Sequence, residues 1–248
     1  MCGRYALALR PSEIRQMLQD DGLRVDDAPE DTGEDAPCNS YNFAPGYHGL
    51  VYLANAPSRS AGPQYDHGEA REIPTPSGMN PRDSTEYRLQ SMKWGLIPSW
   101  TKRSPEYGSM LKTINCRDDS LSRHGGLWSS MKTHKRCVIV AQGFYEWIKS
   151  GKDKLPHYVK RKDDRLMYFA GLWDCVQFEG SEEKLYSYAI ITTNSSSQLK
   201  FLHHRMPVLL EPQSSDITQW LDPYRTEWSN ELQLLLGPFR GELDIYPY

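Results

Sequence analysis

The sequence has 248 residues, of which 25% are charged and 11% aromatic, with a formal net charge of −3. Seven Trp and fifteen Tyr exclude a wholly disordered chain, the length suits one large domain or two small ones, and the charge balance excludes a simple basic nucleic-acid binder. Cys2, Cys38, Cys116, Cys137 and Cys175 are odd in number, widely spaced and without a CxxC pair, which argues against a zinc site or a disulfide framework and for a reducing compartment.

The chain opens with MCGRYA. A small side chain after Met1 permits removal of the initiator, and removal would leave Cys2 with an α-amine beside its thiol. The plain alternative is a cysteine that begins a buried strand. No basic-then-apolar leader follows, and no apolar run approaches the ~20 residues that span a bilayer. A soluble, intracellular protein is expected, with no metal site and no cofactor.

PSEIRQMLQD (11–20) spaces Ile14, Met17 and Leu18 as a helix, with Ser12 as N-cap. Residues 19–37 hold eight acidic residues and one Arg, leaving the rest of the chain at +4. A mildly basic body with an acidic loop permits an anionic partner. YNFAPG (41–46) reads as a tight loop before the strand LVYLAN. Residues 54–88 are rich in Pro, Ser, Gly and Ala without periodicity, and both 19–37 and 54–88 are expected to be mobile insertions in one domain spanning 1–248.

LQSMKWGLIPSW (89–100) reads as a strand, INCRDD (114–119) as a polar turn, and RCVIVAQGFYEWIK (136–149) as a strand with a buried start. Turns at 149–156 and 162–164 flank the alternating HYVKRKD, and DRLMYFAGLWDCVQF, LYSYAIITTN and RMPVLLEP (205–212) complete the strands. SSDITQWLD (214–222) and SNELQLLLG (229–237) carry helix signals. The fold class is α+β, a mainly antiparallel, barrel-like sheet core with a few short peripheral helices.

Polar residues interrupt these strands. Glu146 in GFYEW either points to solvent by alternation or sits among aromatics, where desolvation would raise its pKa toward neutrality. On a regular strand at most one of His203 and His204 faces a given pocket, and a surface turn is the plainer reading. Asn115 suits an amine or hydroxyl and Arg117 a phosphate, beside the plainer polar turn. Trp94 and Trp147 suit the core as well as any binding surface.

MCGRYA, YNFAPG, WGLIPSW, INCR, GFYEW and HxRMP occur in this order. Together they resemble the SRAP family, whose members shield abasic sites in DNA. The resemblance runs from Cys2 to about Leu210 and resumes in LLGPFRGELDIYPY (235–248). It implies that Cys2 is the covalent nucleophile and that Asn115, Glu146 and His203 are catalytic. It further implies that Arg4, Asn42, Pro45, Trp100, Arg117, Thr192, Arg205 and Met206 face DNA. The implied partner is single-stranded DNA carrying an abasic site, bound by a monomer, in the nucleus of a eukaryotic source. A weak lyase activity through the same iminium is implied too. Cys116 departs from the small residue common at that position. Family members usually continue beyond the closing segment, so a longer natural chain is expected.

The chemistry explains why position 2 matters. An α-amine of pKa about 8 is roughly one-tenth neutral at pH 7, far more than an ordinary lysine. It attacks an aldehyde to form an iminium, and the neighbouring thiol then closes a five-membered ring. A base near the thiol would help it ionise. Two rival readings stay open: a self-processing N-terminal-nucleophile peptidase, and a single-strand-binding module with no covalent step.

Overall fold

A computed structural model describes residues 2–33, 36–55 and 85–248. Twelve strands and six short α-helices lie among them. Five strands close a ring: β3 (His48–Asn55), β4 (Glu86–Trp94), β6 (Arg136–Ala141), β9 (Met167–Gln177) and β10 (Lys184–Asn194). Their neighbours run β10–β4–β3–β6–β9 and back to β10, antiparallel except for the β10–β4 pair. All six residues of β6 are buried, as a two-sided apolar strand requires. Its one charge, Arg136, donates to five backbone carbonyls, those of Lys132, Thr133, Trp220, Asp222 and Arg225.

The far half of β10 leaves the ring and gathers two short strands, β5 (Asn115–Arg117) in parallel and β11 (Arg205–Pro207) antiparallel. A second sheet has the order β12–β8–β7–β1–β2, from β12 (Leu243–Pro247), β8 (Asp153–Arg161), β7 (Gly143–Ser150), β1 (Arg4–Leu7) and β2 (Ser40–Phe43). Tyr5 of β1 joins the two sheets: its ring stacks on Phe43 at 4.5 Å, and its hydroxyl lies 2.7 Å from that of Tyr188 in β10. The helices α1 (Pro11–Asp20), α5 (Asp216–Leu221) and α6 (Asn230–Leu234) pack outside, each burying its apolar side.

Several expectations are corrected. Residues 136–149 form two strands in different sheets, because the chain changes sheet at Gln142. Asn115–Arg117 is a strand rather than a turn, since β10 supplies its ladder. Residues 41–43 of YNFAPG belong to β2, and 153–156 to β8. The strand expected over 89–100 begins at Glu86 and stops at Trp94, where Gly95 takes φ +115°. The strand expected over 205–212 is confined to Arg205–Pro207, with one further bridge from Leu209 to Phe169. Ser12 is not the N-cap: Pro11 opens α1 after Arg10, and Ser12 instead gives its N–H and hydroxyl to Asp31 at 2.8 and 2.7 Å.

Parts of the acidic stretch pack against the body. Leu23 and Val25 are buried, Asp21 accepts from the Tyr168 hydroxyl at 2.6 Å, and the Asp27 backbone forms an isolated β-bridge with that of Arg88 in β4. Residues 56–84 of the second expected insertion lie outside the described residues.

Candidate active site

Cys2 precedes β1 and is fully buried. The register Arg4↔Tyr145 and Tyr5↔Phe144 brings this end of β1 beside Glu146 of β7. The Cys2 thiol donates weakly to the Arg4 carbonyl at 3.6 Å. Burial pushes its pKa well up, and the nearby Glu146 carboxylate pushes it further. Both effects favour the protonated thiol.

Asn115 approaches from β5, placed by its pairing with Ile190 of β10. Its Nδ2 donates to the Cys2 carbonyl at 2.8 Å. Its Oδ1 is buried and has no hydrogen-bond partner among the described residues. Glu146 is only 5% exposed, so it does not point to solvent as plain alternation allows.

His203 precedes β11 and is half-buried. Its Nδ1 accepts from the Arg205 N–H at 2.9 Å and lies 3.1 Å from the Arg205 carbonyl. The neutral ring thus uses Nδ1 as acceptor and keeps its proton on Nε2, while the protonated ring can turn the same nitrogen to the carbonyl. Burial lowers the His203 pKa, Glu146 opposes that shift, and His204 adds to it. The alternation argument does not apply to His203 and His204, because they stand outside the strand and their rings stack at 4.3 Å. Cys2, Asn115, Glu146 and His203 are therefore gathered from β1, β5, β7 and the β10–β11 connection.

The expected DNA-facing residues divide. Arg4 and the exposed Asn42 meet at 3.4 Å. Trp100 is 58% exposed. Arg117 is exposed and forks onto Asp119, at 3.0 Å from Nε and 2.5 Å from Nη2. Pro45 is buried behind β2. Thr192, Arg205 and Met206 are buried as well. The Arg205 guanidinium is committed to Asp118 at 2.6 Å, to Asn194 at 3.3 Å and to the Thr192 carbonyl. Met206 accepts from the Ser196 N–H at 3.3 Å. Trp94 is core, its indole donating to the Ile114 carbonyl at 3.0 Å just before Asn115.

Two further residues stand at this site. His157 lies directly across from Glu146 in the β7–β8 ladder, and Phe201 lies against His157. The hairpin signal at Gly151 is enough to find the first: a two-residue turn there fixes the register of GFYEW against LPHYV. Among the described residues no group of His, Cys, Asp and Glu is placed to hold a metal, and no helix is long and apolar enough to cross a membrane.

The chain is similar to known proteins along its whole length. The chain is 32% identical over 263 residues to an abasic site processing protein of Saccharomyces cerevisiae, an alignment covering 100% of this chain and 63% of that one. It is 31% identical over 255 residues to abasic site processing protein HMCES of Xenopus tropicalis, covering 95% and 70%. It is 32% identical over 244 residues to abasic site processing protein YoqW of Bacillus subtilis, covering 98% and 89%. A crystal structure of a Bacteroides thetaiotaomicron protein shares the fold at a TM-score of 0.67 with 21% identity, over 99% of this chain and 91% of that one. The family model described as SOS response associated peptidase (SRAP) matches residues 1–248, and the chain belongs to that family.

Proposed function

We propose that the protein processes abasic sites in single-stranded DNA by joining Cys2 covalently to the opened sugar, once Met1 has been removed. The observation that carries this reading is the convergence of Asn115, Glu146 and His203 on a buried second residue. That residue alone acquires an α-amine beside its thiol. The relatives named abasic site processing proteins support the substrate.

The amine adds to the sugar aldehyde, and the carbinolamine loses water to give an iminium. Glu146 moves the protons of these steps. The thiol then adds to the iminium carbon, a carbon–sulfur bond forms, and its proton is released toward Glu146. The product is a thiazolidine. A protonated thiol suits this order, because the amine must attack first. The free Asn115 Oδ1 is an acceptor for the new amine, while its Nδ2 keeps the Cys2 backbone in place. His203, neutral at pH 7, exchanges a proton with the sugar hydroxyl during ring opening. β-Elimination from the iminium, with the 3′ phosphate as leaving group, would give a weak lyase activity, whereas hydrolysis of the iminium only returns the free aldehyde and amine. The protein acts as a monomer, and in the nucleus of a eukaryotic source.

The test is a denaturing gel with Met1-free protein and single-stranded DNA bearing one abasic site. A heat-stable, slowly migrating band is expected with abasic DNA only, and it is lost in Cys2→Ala. Cys2→Ser keeps the amine and loses ring closure, so its adduct is short-lived. No band from protein with a confirmed free Cys2 would sink the proposal.

The family description favours one second reading, a peptidase that removes its own Met1. Intact-mass measurement of Glu146→Gln decides it. Retained Met1 supports self-processing, and a trimmed chain assigns the removal to another enzyme.

A further inference from the structure

The register of the β7–β8 hairpin pairs Glu146 with His157. Directly opposed residues of an antiparallel pair project from the same face. Along this face the pairs step outward. Phe144 and Val159 are buried, Glu146 and His157 follow, and Ile148 and Leu155 come last, with Leu155 49% exposed. His157 thus stands at the mouth of the site, one step out from the core and level with Glu146. Its Nδ1 lies 3.2 Å from the Leu155 carbonyl, which fixes the ring plane.

The connection that carries His203 crosses the same mouth. Leu199 and Leu202 anchor it in the core, and Leu202 and His203 both donate backbone N–H groups to the Leu199 carbonyl, at 2.9 and 3.0 Å. Between these anchors Phe201 projects outward, 58% exposed. Its ring stands at 81° to the His157 imidazole with centroids 6.4 Å apart. A perpendicular pair braces the rings against each other and leaves aromatic face uncovered. The chain has therefore fixed an open aromatic surface within one side-chain position of Glu146.

We propose that Phe201, braced by His157, is a stacking subsite for the nucleobase adjoining the abasic sugar. This deepens the abasic-site reading and rests on it. A flat heteroaromatic ring fits because every base offers a π face, and base–aromatic stacking of this kind is independent of sequence. The neighbour of an abasic sugar has lost one of its own stacking partners, so its open face is available to the protein. The subsite adds recognition of what flanks the lesion to chemistry that reads only the aldehyde.

The experiment uses single-stranded oligonucleotides with one tetrahydrofuran residue, an abasic analogue that cannot crosslink, flanked on either side by 2-aminopurine. Binding of the wild-type protein should change the 2-aminopurine fluorescence on one side of the lesion. Phe201→Ala should abolish that change and weaken binding about tenfold, and Phe201→Tyr should restore both. Replacing the sensed base by a second tetrahydrofuran should weaken the wild type about tenfold and leave Phe201→Ala unaffected. Additive losses, or a Phe201→Ala protein with wild-type fluorescence and affinity, would overturn the subsite. The readout needs no covalent step. Failure of the crosslink with this pattern intact would remove the covalent reading alone, and normal crosslinking without the pattern would remove the subsite alone.

Discussion

Ser187 and Asp174 face each other across the β9–β10 ladder, and each accepts a backbone N–H from the segment that follows β4. Ser187 Oγ takes the Ile97 N–H at 2.8 Å and Asp174 Oδ2 takes the Ser99 N–H at 2.8 Å. Both side chains are fully buried. Two side chains thereby replace two rungs of a backbone ladder and hold the segment that presents Trp100. Lys135 pairs with Asp174 from the rim, and Cys175 donates to it at 2.8 Å. Ser187→Ala should leave the Ile97 N–H without its acceptor and lower stability by about 1–3 kcal/mol. Urea titration of the two proteins measures this.

Asp174→Ala should also weaken single-stranded DNA binding, because Ser99 and the neighbouring Trp100 lose their tether. That loss should vanish in a Trp100→Ala background if Asp174 acts through Trp100. Equal losses in both backgrounds would show that Asp174 only supports the fold.

Asn115→Asp keeps Oδ1 but sets a carboxylate oxygen against the Cys2 carbonyl, where Nδ2 now donates at 2.8 Å. Crosslinking under single-turnover conditions should slow about a hundredfold, the range seen when one aimed donor is removed. Circular dichroism should show the fold retained. Undiminished crosslinking would remove Asn115 from the proposed mechanism.

The pH dependence has a defined sign. His203 has a folded pKa below its ordinary value of 6.5, so the folded protein keeps it neutral where a free imidazole charges. The unfolded chain binds that proton more readily. The stability contributed by neutral His203 is present above 6.5 and is lost as pH falls through the lower folded value. On the proposed mechanism the crosslinking rate should already fall below pH about 8 as the Cys2 α-amine protonates, and loss of the neutral His203 ring should steepen that fall only below its lowered folded value. His204→Ala removes one of the causes of the lowering, so the acid limb of the pH–rate profile should move toward neutrality.

At the alkaline end the sign reverses. Burial raises Cys2, Cys116, Cys137, Tyr5 and Tyr188 above their ordinary values. These groups ionise in the unfolded chain first, so stability is intact below about pH 9 and falls as pH rises beyond it. Melting temperature against pH should show the decline, and Cys137→Val should flatten part of it. In the native protein, alkylation should mark the exposed Cys38 well before the three buried thiols.

Elements with strong local signals were legible in the sequence. α1 and β10 fall within a residue of their expected bounds, because helical spacing and a β-branched run each specify one structure locally. Asn115–Arg117 was not legible as a strand, since three polar residues become one only when β10 offers a partner more than seventy positions away. The change of sheet at Gln142 is equally non-local, as apolar β-formers continue on both sides of it. At the candidate site, burial was one of two open readings for Cys2 and for Glu146, and the sequence could not choose between them, because each depends on packing between strands far apart in the chain. Arg205 reads as a phosphate ligand in sequence, and its burial and its pairing with Asp118 were not legible there, because Asp118 is 87 positions away.

Fully buried Cys2 lies just ahead of β1, an interior strand of its sheet, with β2 on one side and β7 on the other. That arrangement decides where foreign sequence can be attached. An affinity tag, fluorescent protein or residual protease-site residue fused ahead of Cys2 would block its α-amine. The opposite end of the chain lies along β12, an edge strand, with Tyr248 81% exposed. If the proposed mechanism holds, a recombinant protein tagged at the front would give an inactive preparation for reasons unrelated to its fold.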